Sequence, residues 1–327
     1  MARQGVPRER TREAIRAFWD GEARELGRTP KVSIRDLYFR VHELHTLLPL
    51  VPRGSRVLDA GCGTGLGTLV LGGRARYVLG IDSSSAMLSW AARLRDDPAV
   101  HAEMSSAFPS LWVVPKTGAG HVEFVEADVL DLRLPAARFD VINAQRLLIN
   151  MPSVSDQLTA LRNLRRHATD RALLILGETT EQGYLRTDAY RARYGLSKLE
   201  RHWHNLYLDE AQLGQWTETG WRVEFLLGFD TYMLLSKVVY PAACGEEHCR
   251  FLSGSNAAAM EMACLFRTKC AVDELGAAGF MKMYVERVAH YDASLGAQIS
   301  AWIDRHGSTL GDWRDLGHQR VIVARAV

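Results

Sequence analysis

Arg56-Val57-Leu58-Asp59-Ala60-Gly61-Cys62-Gly63-Thr64-Gly65-Leu66-Gly67 is the stretch on which the fold turns. A short apolar run breaks without a spacer into a glycine-rich turn, and a helical pattern follows. Working outward, the same alternation repeats. Tyr77-Val78-Leu79-Gly80-Ile81-Asp82 reads as a second strand and Ser84 to Arg95 as its helix. Val122 to Asp128 reads as a third strand, Phe139 to Ala144 as a fourth, Ser155 to His167 as a helix, and Ala172 to Leu176 as a fifth strand. Short runs that are apolar on both faces and alternate with helices indicate a parallel sheet covered on both sides. Right-handed crossovers make such a sheet doubly wound. The expected class is therefore α/β, with a mainly parallel, seven-stranded, Rossmann-like sheet.

The flanks add to this frame. Glu13 to Leu26 reads as a helix with Ile15, Phe18, Trp19 and Leu26 as its apolar residues, and Ile34 to Leu48 as a second, ended by Pro49 and Pro52. The connection from Asp96 to Gly120 is long and apolar (Met104, Phe108, Leu111, Trp112, Val113, Val114), which suits a lid or an extra packed element. A second insertion spans Gly183 to Tyr207. After a helix at Asp209 to Thr219 and a sixth strand at Trp221 to Phe229, some ninety mostly helical residues precede a last strand, Gln319 to Arg325. The expected organisation is an N-terminal helical cap at 1–50, a core at 51–229 with insertions 96–120 and 183–207, a helical cap at 230–317, and a strand at 318–327 that rejoins the sheet. A separate C-terminal domain is the alternative.

Composition narrows the function. Of 327 residues 47% are hydrophobic and 24% charged, which excludes a disordered or fibrous chain. Forty Lys and Arg against thirty-eight Asp and Glu leave +2, so charge offers no case for nucleic acid or an anionic membrane as partner. The local cluster Arg3, Arg8, Arg10 and Arg12 reads as a solvated tail. No apolar h-region precedes Arg16, and Val223 to Tyr240 is broken by Glu224, Asp230 and Lys237, so neither a signal peptide nor a membrane span is expected. Five cysteines imply no disulfide framework and suit a reducing cytoplasm. Cys244 and Cys249 flank Glu246, Glu247 and His248 without zinc-knuckle spacing or a second pair, so no metal is expected.

A glycine turn between strand and helix lets backbone N–H groups approach a nucleotide-like ligand. The dinucleotide fingerprint needs a third glycine where this chain has Leu66, and no P-loop Lys-Ser or Lys-Thr follows. The run Val57 to Gly65 resembles instead the first motif of the class I S-adenosylmethionine-dependent methyltransferases. Asp82 stands where the resemblance implies a carboxylate on the ribose hydroxyls. Ala127-Asp128-Val129 is similar to the motif that meets the adenine, and Phe139-Asp140-Val141-Ile142 to the family's fourth strand. The likeness runs from about residue 40 to 180. It implies S-adenosylmethionine as cofactor, held by Asp59, Gly61, Cys62, Gly63, Gly65, Asp82, Ser83, Met87, Asp128, Val129 and Gln145. An NAD-binding sheet, which Asp82 would also suit, and a non-catalytic cofactor-binding subunit are the alternatives.

The acceptor side is less explicit. Displacement at a sulfonium gains much from alignment alone, and a base is needed only where the acceptor must lose a proton. Asn143-Ala144-Gln145-Arg146 replaces the Asn-Pro-Pro-Tyr of nucleobase and glutamine N-methyltransferases. His202, His204 and Tyr207 are candidates for acceptor contact or catalysis, with Trp203 as an aromatic surface and Arg146, Asn150 and Glu178 as further acceptor contacts. Arg146 would hold an acceptor carboxylate or pair with Glu178. Arg40 reads as a surface helix residue, or as a ligand for the cofactor's carboxylate. The expected function is O- or N-methylation of a small molecule, in specialised metabolism by fold analogy, with a protein or peptide acceptor as the runner-up. The oligomeric state is open.

Overall fold

The computed structural model describes residues 9–108, 120–135, 138–249, 253–265, 270–311, 313 and 316–327, with backbone alone over 270–275. Five strands form the parallel body: β1 (Arg56–Ala60), β2 (Tyr77–Asp82), β3 (His121–Glu126), β4 (Phe139–Gln145) and β5 (Ala168–Thr179). Two more, β6 (Trp221–Gly228) and β7 (Gln319–Ala326), complete a seven-stranded sheet of order β3-β2-β1-β4-β5-β7-β6. The last strand inserts between β5 and β6 and runs antiparallel to both, with Glu178 opposite Arg320 and Leu226 opposite Ile322. The expected return of the C-terminal strand beside the sixth is what the sheet shows.

Alternation along the strands divides two cores. Val57, Val78, Val141, Ile175 and Val321 pack on one face. Leu58, Leu79, Ile142, Leu174 and Ile322 pack on the other, beneath Ala160, Leu161 and Leu164. Side chains one residue apart in a strand point to opposite faces, so a sheet buried on both sides needs apolar residues at every position.

The helices that position the site are α1 (Arg12–Leu26), α2 (Leu37–Leu47), α3 (Leu66–Gly72) and α4 (Ser85–Asp96). Thr11 caps α1 by accepting from Ala14 N–H, Asp36 caps α2 through Phe39 N–H, and Ser84 caps α4 through Met87 N–H. Each side chain satisfies a donor that the first helical turn leaves unpaired. The connection expected over 96–120 begins with a further packed helix, α5 (Pro98–Ser106), whose Met104 is buried together with Phe108. The rest of that connection, with Leu111, Trp112, Val113 and Val114, lies outside the described residues, as do Arg3 and Arg8. After α6 (Val154–Arg166), the insertion opens with α7 (Glu181–Ala192). The helix expected over Asp209 to Thr219 is wound as 3-10 turns over Glu210–Thr219.

Residues 230–317 carry α8 (Asp230–Leu234), α9 (Tyr240–Cys244), α10 (Gly254–Leu265), α11 (Cys270–Tyr291, interrupted at Gly276) and α12 (Ala293–His306). A π-helical turn, Leu235–Val239, joins the first two. These helices continue the core on the α2 side through Tyr232, Leu235, Met262, Phe280 and Tyr284. Asp36, at the start of α2, ties them down: Tyr232 donates to it at 2.7 Å, and Lys237 and Asn256 each at 3.3 Å. Among the described residues no helix is long and apolar enough to cross a membrane.

Ile142 sits in β4, the central strand of the seven-stranded sheet, with no exposed surface. Replacing it with Ala leaves a cavity between β4 and the facing helix and should cost about 2–5 kcal/mol. The expected reading is a lower urea midpoint at unchanged slope, the sign of lost stability without a change in the unfolded state.

Candidate active site

The order of the strands reverses between β1 and β4, and in open α/β sheets the crevice outside the carboxyl ends at such a reversal holds the ligand. The principal cleft lies there, with about 1280 Å³ of empty space counting its open mouth. Asp59, Gly61, Cys62, Gly63, Asp82, Ser83, Met87, Asp128, Val129 and Gln145, all expected around a cofactor, line it together. Arg146 and Asn150 line it as well.

The glycine turn is fixed from below. Gly61 and Cys62 both donate their N–H to the Ile81 carbonyl, at 2.8 and 2.9 Å. Gly63 N–H donates to the Asp82 carboxylate at 2.9 Å, and Ser84 N–H donates to its other oxygen at 2.9 Å. Gly65 does not line the cleft; it precedes α3 with φ of 78°, and a Cβ there would stand 2.7 Å from the Phe124 ring. Its role is to let the chain turn where a side chain would collide. Gly63 is the opposite case: nothing lies within 4 Å of where its Cβ would be, so a ligand can approach the backbone.

The acidic residues are held differently. Asp59 is buried beneath the turn, receiving Thr68 Oγ1 and Asn143 Nδ2, each at 2.6 Å. Burial pushes its carboxyl up, against the pull of those two donors. Burial likewise raises Asp82, while the Ser84 and Gly63 N–H groups lower it. Cys62 keeps its proton, since burial and then the neighbouring Asp82 raise its thiol well above the usual range. At the end of β3, Asp128 caps a single 3-10 turn by accepting from Leu130 N–H at 2.9 Å, which sets Val129 and Leu130 against the cleft. Carboxylates at Asp82 and Asp128, an approachable glycine backbone and an apolar Met87, only 3% exposed, fit a nucleoside with a ribose diol.

A buried ion group forms the far end. Arg40 of α2, expected on the surface, is 7% exposed and lines the cleft. It bonds Glu43 at 2.7 Å and also donates to Gln145. Arg146 takes the other Glu43 oxygen at 2.6 Å, so its partner is Glu43 and not Glu178. One carboxylate thus serves two guanidiniums, which hold it below the usual range despite complete burial. Burial and then Arg146 lower the Arg40 pKa. Glu43 went unnoticed in the sequence, although a Glu inside a helix as apolar as α2, three residues after an Arg, is a readable signal of a buried pair. Arg146 has a φ of 56°, the one non-glycine positive value among the described residues, and donates its N–H to the Gly177 carbonyl at 2.7 Å.

The roof is α1, which contributes Arg12, Ile15, Arg16 and Trp19 to the lining. Trp19 Nε1 donates to Asn150 Oδ1 at 3.1 Å, Ser84 Oγ to Asp20 at 2.5 Å, and Arg16 Nε to the Ser83 carbonyl at 2.6 Å. The sequence reading recognised Ile15 and Trp19 as apolar helix positions but not as cleft wall. His202, Trp203, His204 and Tyr207 do not line the cleft. Phe18 and Trp19 stand in front of them: the Phe18 ring stacks on His204 at 4.3 Å and meets Trp203 edge-on at 5.9 Å. Tyr207 packs instead on Tyr184, 5.5 Å between ring centres, beside Arg201. Glu178, placed with the acceptor in the sequence reading, is fully buried behind the wall. None of the described residues at 230–317 touches the cleft, because those helices pack on the opposite side of α2.

Glu43→Gln removes the charge that two buried guanidiniums share, and should cost about 3–5 kcal/mol because it leaves them uncompensated. Thermal unfolding checks this. Burial and then His202 hold His204 down at about 4, so between pH 6.5 and 4 the unfolded chain binds a proton at this site that the folded chain refuses. Stability should therefore fall as pH drops through that window, and fall less steeply in His204→Gln.

Residues 58–176 match the family described as "Methyltransferase domain". No curated protein sequence matches the chain. Among solved structures it is similar to the [4+2]-cyclase SpnF, at 17% identity and TM-score 0.43 over 88% of this chain and 80% of that one. It is also similar to a chain from the complex between the Haloferax volcanii Trm112 methyltransferase activator and the putative methyltransferase, at 14% identity and TM-score 0.48 over 95% and 97%. The N-methyltransferase NodS from Bradyrhizobium japonicum WM9, with S-adenosyl-L-homocysteine, shows 18% identity and TM-score 0.39 over 58% and 78%. These likenesses say nothing about an acceptor. The matched stretch, a little over a third of the chain, runs from β1 through the glycine turn that forms the cleft to β5, so these residues carry a methyltransferase domain.

Proposed function

We propose that the chain transfers a methyl group from S-adenosylmethionine to O or N of a small-molecule acceptor, in a reducing, cytoplasmic setting. The observation that carries this reading is the roof. Helix α1 crosses the mouth and is tied to both banks, by Trp19 to Asn150 on one side and by Asp20 and Arg16 to the Ser83–Ser84 turn on the other. A roofed cleft suits a compact acceptor and excludes water from the reacting centre, whereas a polypeptide acceptor calls for an open groove.

S-adenosylmethionine supplies an electrophilic methyl on a sulfonium. In this reading Asp82 holds the ribose diol, Asp128 and Val129 the adenine, and Met87 one face of the adenosine. Arg40 has the position and charge for the cofactor's carboxylate, lining the cleft while its Glu43 partner is shared with Arg146. The acceptor lies between Trp19, Leu147, Asn150 and Met151. Among the described residues no histidine lines the cleft, so positioning and desolvation do the main work, and an acceptor amine arriving neutral needs no base from the wall. His204, kept neutral behind Phe18, supports the roof. The thiols of Cys62, Cys244 and Cys249 suit the reducing setting.

Calorimetric titration tests the reading. S-adenosylmethionine should bind with micromolar affinity and NAD should give no heat. Asp82→Ala should weaken the former at least tenfold, which is about 1.4 kcal/mol. With binding in hand, transfer of a labelled methyl group to a panel of small amines, phenols and carboxylic acids, set beside a peptide library, identifies the acceptor class. Absence of S-adenosylmethionine binding, or transfer to peptides alone, would overturn the proposal.

A further inference from the structure

Glu178, next to last in β5, has no exposed surface, yet it is a carboxylate and it reaches no ligand-lining position. It receives three successive backbone N–H groups: Leu147 at 2.9 Å, Leu148 at 2.8 Å and Ile149 at 3.3 Å. Burial pushes its carboxyl up to about 7, against the pull of those N–H groups and of Arg146. Fully buried carboxylates are rare unless something in the fold needs them.

What these bonds hold is the acceptor-side wall. The 3-10 turn Leu148–Asn150 presents Asn150 to Trp19, and Leu147 stands over the glycine turn, 3.0 Å from where a Gly61 Cβ would be. The far side of the same turn is pinned by Gln157, whose Nε2 donates to the Leu148 carbonyl at 3.1 Å and the Leu206 carbonyl at 3.0 Å. Asn150 in turn donates to the Arg146 carbonyl at 2.6 Å. The backbone at Arg146 is left-handed, an arrangement that costs energy for a residue with a side chain and persists only when its surroundings enforce it.

We infer that Glu178 is a positioning residue: through the backbone of Leu147, Leu148 and Ile149 it fixes the turn that carries Asn150, and so sets the latch between the acceptor wall and the Trp19 of α1. The chain of contacts is specific. An isosteric Gln in its place keeps an oxygen for two of the N–H groups and turns an NH2 toward the third, so the turn loses one acceptor and gains a repulsion at Ile149. This inference rests on the acceptor-side reading of the cleft given above.

The test is Glu178→Gln in the full chain, labelled with 5-fluorotryptophan. Trp19 is one of eight tryptophans, and Trp19→Phe assigns its fluorine line. The expected result is a Trp19 line displaced to where Asn150→Ala puts it, with calorimetric affinity for S-adenosylmethionine kept within threefold of the unaltered protein. A Trp19 line unmoved by Glu178→Gln overturns the inference, and so does a loss of S-adenosylmethionine affinity beyond tenfold in that variant, which would place Glu178 with the cofactor. Should Glu178→Gln fail to fold, hydrogen exchange on the unaltered protein decides: slow exchange at Leu147, Leu148 and Ile149 alike supports it, and fast exchange at all three overturns it. If the unaltered protein binds no S-adenosylmethionine, the functional reading fails while the Trp19 line still reports on the latch.

Discussion

The backbone between β1 and α3 has to reverse direction within a few residues while leaving its upper surface open, and the end of β2 makes that possible. The Ile81 carbonyl takes two N–H groups of the turn, and the Asp82 carboxylate takes a third from Gly63 while holding the start of α4 through Ser84. A carboxylate receiving two N–H bonds is worth more than a neutral acceptor there. Everything else at the site is placed relative to that turn: Asp59 beneath it, Leu147 across from it, Asp128 one strand over and Arg40 behind it.

Two buried carboxylates on the other bank solve a related problem by different means. Glu43 sits between two guanidiniums and stays ionised because their charge outweighs its burial. Glu178 has three backbone N–H groups, and they do not outweigh its burial. The first arrangement ties α2 to the end of β4 and leaves two guanidiniums lining the cleft. The second fixes a stretch of backbone and leaves nothing facing the cleft at all. Removing either has consequences at a distance from the residue changed, since the members of a buried polar network are coupled to one another.

Much of the fold could be read from the chain. The run Ala172 to Leu176 is apolar at every position and Val57-Leu58 and Val141-Ile142 repeat that in short, which a sheet buried on both faces requires, and β1, β2 and β4 stand within a residue of where the pattern puts them. Boundaries blurred where competing signals were weak. The segment after Asp209 has helical spacing but winds as 3-10 turns, and β5 runs beyond its apolar centre at both ends, where Ala168 pairs with Phe139 of β4 and Gly177 to Thr179 pair with β7. At the site, Asp59, Asp82 and Asp128 were legible because strand ends at a reversal of strand order converge on one crevice. The cluster from His202 to Tyr207 looked like an acceptor wall because its residue types suit one. Chemistry of type does not report position, and Phe18 and Trp19 come between that cluster and the cleft.

By itself the sequence determined the sheet, the turn and the acidic set, since each follows from patterns within ten or twenty residues: alternation, glycine spacing, an Asp at a strand end. Only the tertiary structure decided what roofs the cleft and what its charges are paired with. Trp19 and Asn150 are 131 residues apart, Arg146 and Glu43 are 103 apart, and Glu178 holds amides some 30 residues before it. No local pattern encodes such pairings. They arise when packing of the two cores brings helix ends and strand ends into one place and leaves each buried polar group to find the partner within reach.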